Sequence, residues 1–400
     1  METKLERIAS KSANTKRPEF TSLYHLINKE LLMQCHKEVD GNKAVGIDEI
    51  TKREYSENLE GNIENLVDRL KRKSYKPMPS LRVYIPKFLN CMHGFRANRR
   101  CHTAVKELYD RINIGKITRV VDADIKGFFD HMKHEWILKF LNYYIKDKNI
   151  LRLVKKYLKA GIIDNGQLVK SDEGTAQGNI ISPVLANIYM HNVLTLWFQY
   201  IIAKECKGEC FLVVYADDFI AGFQYPWEAE RFYEQLRSRM AKFGLELEEN
   251  KSRIVESGRY LASLKAKRGE STRLGTFDFL GFTFYCGRTT KGNPWIMPKT
   301  SSKKFRQKVK EIKIWLYNNK EQKLGKLMYM LNVKLVGHYR YYGISFNSRM
   351  ISNYKQQVRE LLYKVLNRRS EKKSYTREGF IEMMKYYKLV NPKIYYSLFC

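Results

Sequence analysis

At 400 residues the chain is long for one hydrophobic core and points to two or three packed units. A hydrophobic fraction of 44% excludes a disordered chain, while 73 Lys plus Arg against 42 Asp plus Glu leave a net charge of +31. Such a surplus repels itself unless a polyanion relieves it, which makes nucleic acid the default partner.

The basic residues are spread along the chain rather than bunched beside an apolar helix, and no run is long enough to span a bilayer. The Met1 end is polar, without an apolar signal stretch. A membrane role is therefore disfavoured and a cytoplasmic location expected. Seven scattered cysteines, an odd number, favour reduced thiols over disulfides. Cys206 and Cys210 form a lone C-x3-C, and Cys91, His93, Cys101 and His102 could be imagined around zinc. Neither set has a recognisable four-ligand spacing, so structural roles are favoured. Most of the 27 Tyr and 20 Phe belong to the core, and some could stack on unpaired bases.

In chain order, residues 21–39 have helical spacing, with Leu23, Leu26, Ile27 and Leu31 on one face. Lys43 to Asp48 is a turn. A second helix over 51–73 ends in a basic run, and Leu81 to Pro86 is a short strand stopped by proline. Ile117 to Ala123 is β-branched and runs into acid. Helices follow at Trp136–Tyr144 and Leu151–Ala160. Gly174–Gly178 is a loop, and a long apolar helix runs from Ser182 to about Ile201. Phe211–Tyr215 and Phe219–Phe223 are apolar runs separated by Ala216-Asp217-Asp218, a β-hairpin with acid at its tip. A helix follows from Trp227 to Phe243. The last hundred residues are helical and basic, with a boundary placed near residue 290 in the polar stretch Gly287–Pro294. This alternation gives an α+β layer.

The hairpin tip carries the chemistry. Adjacent carboxylates repel, and oxygen-only ligands favour Mg²⁺. Asp122-Ala123-Asp124 ends another apolar strand. If the two strands are neighbours, Asp124 and Asp217 can hold two metals for phosphoryl transfer. Asp is also an ordinary turn residue, but apolar flanks and a second acid-tipped strand weaken that reading.

Tyr215-Ala216-Asp217-Asp218 resembles the signature of reverse transcriptases. The order of the remaining motifs is similar to the group II intron-encoded reverse transcriptase/maturase family. Val121-Asp122-Ala123-Asp124-Ile125-Lys126-Gly127-Phe128-Phe129-Asp130 resembles its first catalytic block, and Glu173 to Pro183, continued by Asn187 and Ile188, the next. Gly244 to Leu247 with Lys251 resembles the block after the hairpin. Phe277 to Phe282 resembles the primer grip, and Gly94-Phe95-Arg96-Ala97-Asn98-Arg99 the fingers motif. Gly337 to Gly343 and Asn367-Arg368-Arg369-Ser370 resemble the thumb, or maturase, domain.

The resemblance implies a right-hand polymerase with fingers, a ferredoxin-like antiparallel palm and a helical thumb. An N-terminal extension and fingers would occupy 1–116, the palm 117–290 and the thumb/maturase domain 291–400. It implies an RNA-directed DNA polymerase that also binds its intron RNA to assist splicing and mobility. Two Mg²⁺ would be held by Asp124, Asp217 and the Ile125 carbonyl, with Asp218 completing the catalytic set. Phe129 would sit under the sugar and exclude a 2′-hydroxyl. Lys87, Ala176, Gln177, Gly178 and Lys251 would meet the deoxynucleotide. Arg96, Arg99, Arg340, Arg368 and Arg369 would meet RNA or template. Partners would be the intron RNA, an RNA template and a DNA primer or target, with a homodimer allowed.

One departure is large. Where the family has a basic, glycine-containing strand turn and a helix, Lys87 joins Phe88 directly, as though a few tens of residues were deleted from the fingers. Ala97, Arg100, Ala176 and Asn179 are milder departures. The missing turn normally supplies a cation that clamps the triphosphate, so weak polymerisation is expected, with a non-catalytic RNA-binding maturase or remnant as the alternative. A zinc-containing endonuclease module carried by some relatives is not seen, and second-strand cleavage is not expected.

Overall fold

The structure is a computed structural model that describes residues 23–39, 50–75, 88–159, 162–164, 167–169, 173–175, 181–368 and 375–399. Among the described residues nine strands are interspersed with helices: β1 (Arg119–Ala123), β2 (Ile162–Asp164), β3 (Gln167–Val169), β4 (Cys210–Tyr215), β5 (Asp218–Phe223), β6 (Arg253–Glu256), β7 (Phe277–Phe279), β8 (Phe282–Arg288) and β9 (Pro294–Thr300). All named pairings are antiparallel, in sheets ordered β4-β5-β1-β6, β2-β3 and β7-β8-β9. The fold is α+β, as the element order predicts.

The chain divides into two compact units, and the division cuts across the three ranges expected from sequence. The first takes the chain up to Asn90, Ile125–Trp197 and Ser238–Glu246. It is mainly helical. Helices Lys29–Glu38, Lys52–Glu57 and Leu59–Lys71 are followed by His134–Tyr144, Lys148–Leu158 and Ser182–Met190. The expected helix over 21–39 starts only at Lys29, where the Asn28 side chain accepts from Leu31 N at 2.9 Å. The expected helix over 51–73 is two helices. Thr51 and Glu54 form a capping box at the first, and the second starts after Asn58, which leaves the helical region at ψ 48°. Trp136, Phe140, Tyr189 and Phe243 pack edge-on or stacked as the aromatic centre of this unit.

The second unit holds Cys91–Asp124, Phe198–Arg237 and Leu247–Cys400, and with them the four-stranded sheet. Directly opposed residues in an antiparallel pair share a face. Val120, Ile220, Val213, Phe211 and Val255 therefore share one face, and all belong to a single buried core. That core continues through the β7-β8-β9 sheet, where Phe277 and Phe284 stack at 5.2 Å and an interplanar angle of 2°. It continues again into the long helices Ser302–Asn318, Leu324–Tyr342 and Ser348–Leu366. On the other face Phe223 packs with Phe198 and Phe232. With both faces covered, the strands read as apolar runs rather than as alternation.

The helices Cys101–Ile114 and Arg259–Lys267 and the strands β2, β3, β6, β7, β8 and β9 are not among the elements expected from sequence. The polar stretch Gly287–Pro294, read as a boundary, holds the turn of the β8–β9 hairpin, with Arg288 opposite Pro294. The long apolar helix extends to Glu205 and contains π-type segments at His191–Thr195 and Phe198–Ile202.

Two buried asparagines hold the outer strand β9. Asn113 Nδ2 donates to Tyr109 O at 2.9 Å and Ile296 O at 3.0 Å, and its Oδ1 accepts from Ile296 N at 2.9 Å. Asn347 Oδ1 accepts from Thr300 N at 2.8 Å, and its Nδ2 donates to Thr300 Oγ1 at 2.8 Å and Tyr342 O at 2.7 Å. Asn113→Leu would leave the Ile296 amide and carbonyl buried without partners. It is expected to cost about 3 kcal/mol in urea unfolding, whereas a cost within experimental error would show that β9 does not depend on this clamp.

Candidate active site

The acid-tipped hairpin is built tightly. Tyr215 pairs with Asp218, so the turn is only Ala216-Asp217, and Ala216 takes a left-handed φ of 57°. A non-glycine residue there stores strain of about 1–2 kcal/mol. The segment Cys91–Gly94 runs along β4 and braces it. His93 N donates to Val214 O, and Val214 N to Cys91 O, each at 2.8 Å. A Cβ on Gly94 would lie 2.6 Å from Ala216 N, so only glycine lets this segment reach the turn. His93 is itself buried, with Nδ1 at 2.8 Å from Thr103 Oγ1 and Nε2 at 2.7 Å from Glu107.

Register sets the positions of the carboxylates. Asp122 opposes Ile220 on β5, and Asp218 lies two residues before Ile220. With a period of two, Asp122, Asp124 and Asp218 fall on the same face, and Asp217 projects from the turn. The Asp122 carboxyl is pushed up to about 7 by burial, opposed by Arg253 and raised further by Asp278, Asp218 and Asp124. Asp218 is pushed up to about 6 by its protein surroundings, then by Asp217 and Asp124, with Lys304 opposing. Solvent still reaches its outer edge and screens part of this. Asp217 is raised by burial and then by Asp124. Five carboxylates thus form one interacting set.

Two cations touch it. Lys251 Nζ lies 2.9 Å from Asp124 Oδ2, and Arg253 Nε lies 3.8 Å from Asp122 Oδ2. Asp124 N donates to Ser252 Oγ at 3.2 Å, and Asp124 O accepts from Glu248 N at 2.8 Å. The Lys251 loop is therefore tied to the acid by backbone and side chain alike.

Beside Asp218 opens a cleft of about 620 Å³, walled by Leu280, Gly281, Lys304, Lys308, His338 and Tyr341 among others. Leu280 and Gly281 have φ of 49° and 79° and form the two-residue turn between β7 and β8. Tyr341 Oη donates to Leu280 O at 3.1 Å, and Ser301 N to Gly281 O at 2.9 Å. Arg253 and Asp278 are not among the site residues expected from sequence. Their signal is proximity across strands, which spacing along the chain does not carry.

The other expected site residues are dispersed. Ile125 is buried, and Phe129 is half-buried on a short helix, its carbonyl accepting from Thr175 N at 2.8 Å. Both belong to the first unit, whereas Asp124, Asp217 and Asp218 belong to the second. Arg96 turns back to donate to Met92 O at 2.8 Å, and Arg99 lies 4.0 Å from Glu107. Both arginines therefore make contacts within the protein. Arg340 is exposed and lines a shallow cleft with Tyr329 and Val333, and Arg368 donates to Tyr317 Oη at 2.6 Å. Lys87, Ala176, Gln177, Gly178 and Arg369 lie outside the described residues, as does the Lys87–Phe88 junction's first half. His102 Nε2 faces Tyr341 O at 2.8 Å.

Closely set oxygen donors of one charge suit a hard divalent cation, which would relieve their repulsion. Among the described residues no three His, Cys, Asp or Glu side chains converge closely enough to enclose an ion by themselves. Carbonyl, water or substrate oxygens would have to complete the shell. Among the described residues no helix is long and apolar enough to cross a membrane.

Residues 65–284, more than half of the chain, match the family model for reverse transcriptase (RNA-dependent DNA polymerase). Residues 302–387 match that for the group II intron, maturase-specific domain. The group II intron-encoded protein LtrA of Lactococcus lactis subsp. cremoris is 32% identical over 227 residues, which is 47% of this chain and 37% of that protein. The putative COX1/OXI3 intron 1 protein of Saccharomyces cerevisiae is 40% identical over 118 residues, 29% of this chain and 14% of that protein. The chain thus spans well under two thirds of the length of these relatives. Among solved structures, telomerase from Candida albicans in complex with a fragment of telomeric RNA aligns with a TM-score of 0.38 and 14% identity, covering 75% of this chain and 54% of that one.

The cleft wall gives a pH prediction. His338 stacks on Tyr354 at 3.6 Å, and burial, with Lys308 adding, lowers its pKa to about 3. The unfolded chain therefore binds a proton at this residue that the folded chain refuses. Stability from this group is complete above the ordinary histidine pKa and is lost as pH falls from about 6.5 towards 3, by at most about 1.4 kcal/mol per pH unit. His338→Phe keeps the stack and should flatten the Tm–pH curve between pH 6.5 and 4. An unchanged slope would show that the imidazole is protonated as easily in the fold as out of it.

Proposed function

The chain belongs to the reverse transcriptase family, in its group II intron-encoded reverse transcriptase/maturase branch, and from that premise we propose that it is an RNA-directed DNA polymerase that also binds its intron RNA to assist splicing and mobility. The observation that carries the polymerase reading is the single-face set of Asp122, Asp124 and Asp218 with Asp217 at the turn, strained and braced at the tip of an apolar hairpin.

In this reading Asp124 and Asp217 hold the cations, and Asp218 adds negative charge beside them. Two Mg²⁺ bound there would supply Lewis-acid activation of the attacking 3′-hydroxyl and charge neutralisation at the triphosphate. The remaining work falls to the chain. Lys251, bonded to Asp124, can exchange that carboxylate for a phosphate oxygen while staying on its tethered loop. Arg253 limits the repulsion that Asp122 adds to the set. The Phe129 ring excludes a 2′-hydroxyl and so selects deoxynucleotides. Lys304 and Lys308, in the cleft that starts at Asp218, take the phosphates of the primer strand behind its 3′ end. The 1–116, 117–290 and 291–400 ranges serve as fingers with N-terminal extension, palm and thumb, and the basic thumb contributes to intron RNA binding.

Extension of a DNA primer annealed to an RNA template, with Mg²⁺ and deoxynucleotides, tests the reading. Extension is expected to be slow, because the triphosphate clamp in the fingers is shortened. Asp217→Ala should lower it by on the order of 10³-fold, and equal extension by this variant would sink the assignment. Phe129→Ala should admit ribonucleotides at least about ten-fold better relative to deoxynucleotides. No change in that ratio would return Phe129 to plain packing.

A further inference from the structure

A second cleft, of about 690 Å³, lies within the first unit and shares no residue with the carboxylate set. It is lined by the start of the helix His134–Tyr144, the end of Lys148–Leu158 and the end of Pro226–Lys242. Four lysines line it, Lys133, Lys155, Lys159 and Lys242, against one acid, Glu135. Glu135 is engaged by Lys139 at 3.2 Å, and Lys133 pairs with Glu173. Among the described residues, Lys155 and Lys242 enter no ion pair.

Two further features point to a ligand. The helix that opens into the cleft has no side-chain cap. Lys133 occupies the N-cap, and the first helical bond runs from Ile137 N to Lys133 O. The preceding first-turn amides have no helical acceptor, and with the helix dipole they favour an anion. The second feature is His134, only 6% exposed and part of the lining. Its Nε2 lies 2.7 Å from Gly174 O. A carbonyl can only accept, so Nε2 carries the proton, and in the neutral ring Nδ1 is a bare acceptor. That Nδ1 is buried and has no partner among the described residues, an arrangement that costs stability unless a donor is supplied.

We propose that this cleft is a second nucleic-acid contact of the chain and takes the sugar–phosphate backbone of RNA. A phosphate sits at the uncapped helix start between Lys155 and Lys242. The adjoining ribose 2′-hydroxyl donates to His134 Nδ1, which distinguishes RNA from DNA. The choice of RNA over another polyanion rests on the reverse transcriptase/maturase reading, whereas the phosphate contact stands on the cleft alone.

The test uses the full chain and fluorescence anisotropy with one labelled hairpin in three forms: RNA, 2′-O-methyl RNA and DNA, over a range of KCl. Lys155→Ser with Lys242→Ser, both exposed positions, should weaken RNA binding about ten-fold and lower the slope of log Kd against log[KCl] by about 1.5. Lys242→Glu should weaken it further. His134→Phe should leave the salt slope alone and reduce the preference for RNA over the other two hairpins. Thermal melting checks that each variant folds. If His134→Phe does not fold, the wild-type comparison of RNA with 2′-O-methyl RNA decides the sugar contact. Wild-type RNA affinity in a folded Lys155→Ser, Lys242→Ser chain would overturn the site, and equal wild-type affinity for all three hairpins would overturn the ribose contact. Primer extension is read separately. If wild type fails to extend but binds RNA through these lysines, the polymerase reading falls and this site stands. The converse result removes the site and leaves the polymerase.

Discussion

Everything in the unit that carries the four-stranded sheet depends on one constraint: like charges must be held together at the end of apolar strands. The register of β1 against β5 leaves no freedom in this. Once Val120 and Ile220 are committed to the core, the two-residue period sends Asp122, Asp124 and Asp218 to the same face. A slip of one residue would carry Asp122 and Asp124 to the face packed by Phe198 and Phe232 and take Val120 out of the core. The hydrophobic side of the exchange is larger, since each buried Val or Ile contributes about 1.5–3 kcal/mol. The core therefore imposes the charge cluster, and the cluster in turn creates the demand for cations that Lys251, Arg253 and Lys304 meet in part.

That hierarchy explains what was legible in the sequence. The hairpin was readable because its flanks are uninterrupted apolar runs and its turn is short. The α+β class followed from the element order. The pairing of the first acidic strand with the hairpin could be stated only as a condition, which the register of β1 with β5 now meets. Strand β6 was not readable: Arg253-Ile254-Val255-Glu256 is four residues with polar ends, too short for a period to show. The helix Cys101–Ile114 is hard to read from sequence, because Arg100 at its N-cap gives none of the usual Ser, Thr, Asp or Asn start signal. Glycine and polarity at 287–294 signal a turn in either a linker or a hairpin. Only the apolar strands on each side, Phe282–Arg288 and Pro294–Thr300, favour the hairpin.

The basic residues were the least legible as sites. A lysine gives no hint from sequence of what it faces. Arg96 is spent on Met92 O and Arg99 sits near Glu107, so two residues expected to meet nucleic acid also organise the segment that braces the hairpin. Lys251 is the opposite case. Expected near a phosphate, it is bound to the Asp124 carboxylate, which is the same electrostatic role with an internal anion in place of an external one.

The distribution of charge on the long helix Leu324–Tyr342 carries this argument one step further. Its nineteen residues include no acid at all, while Lys326, Lys334, His338 and Arg340 are present. Its exposed positions Val333, Lys334, Gly337, Arg340 and Tyr341 recur at helical spacing. A solvated helix gains from mixed charge on its outer face, because pairs three or four residues apart stabilise it by ~0.3 kcal/mol each. This helix forgoes those pairs. It also carries Gly337 where a Cβ would meet nothing within 4 Å, at a cost of about 1 kcal/mol relative to alanine. Neither feature improves the folded chain on its own account. Both are what a surface requires if a polyanion is to approach the helix backbone closely, and the net charge of +31 is the same requirement written over the whole chain.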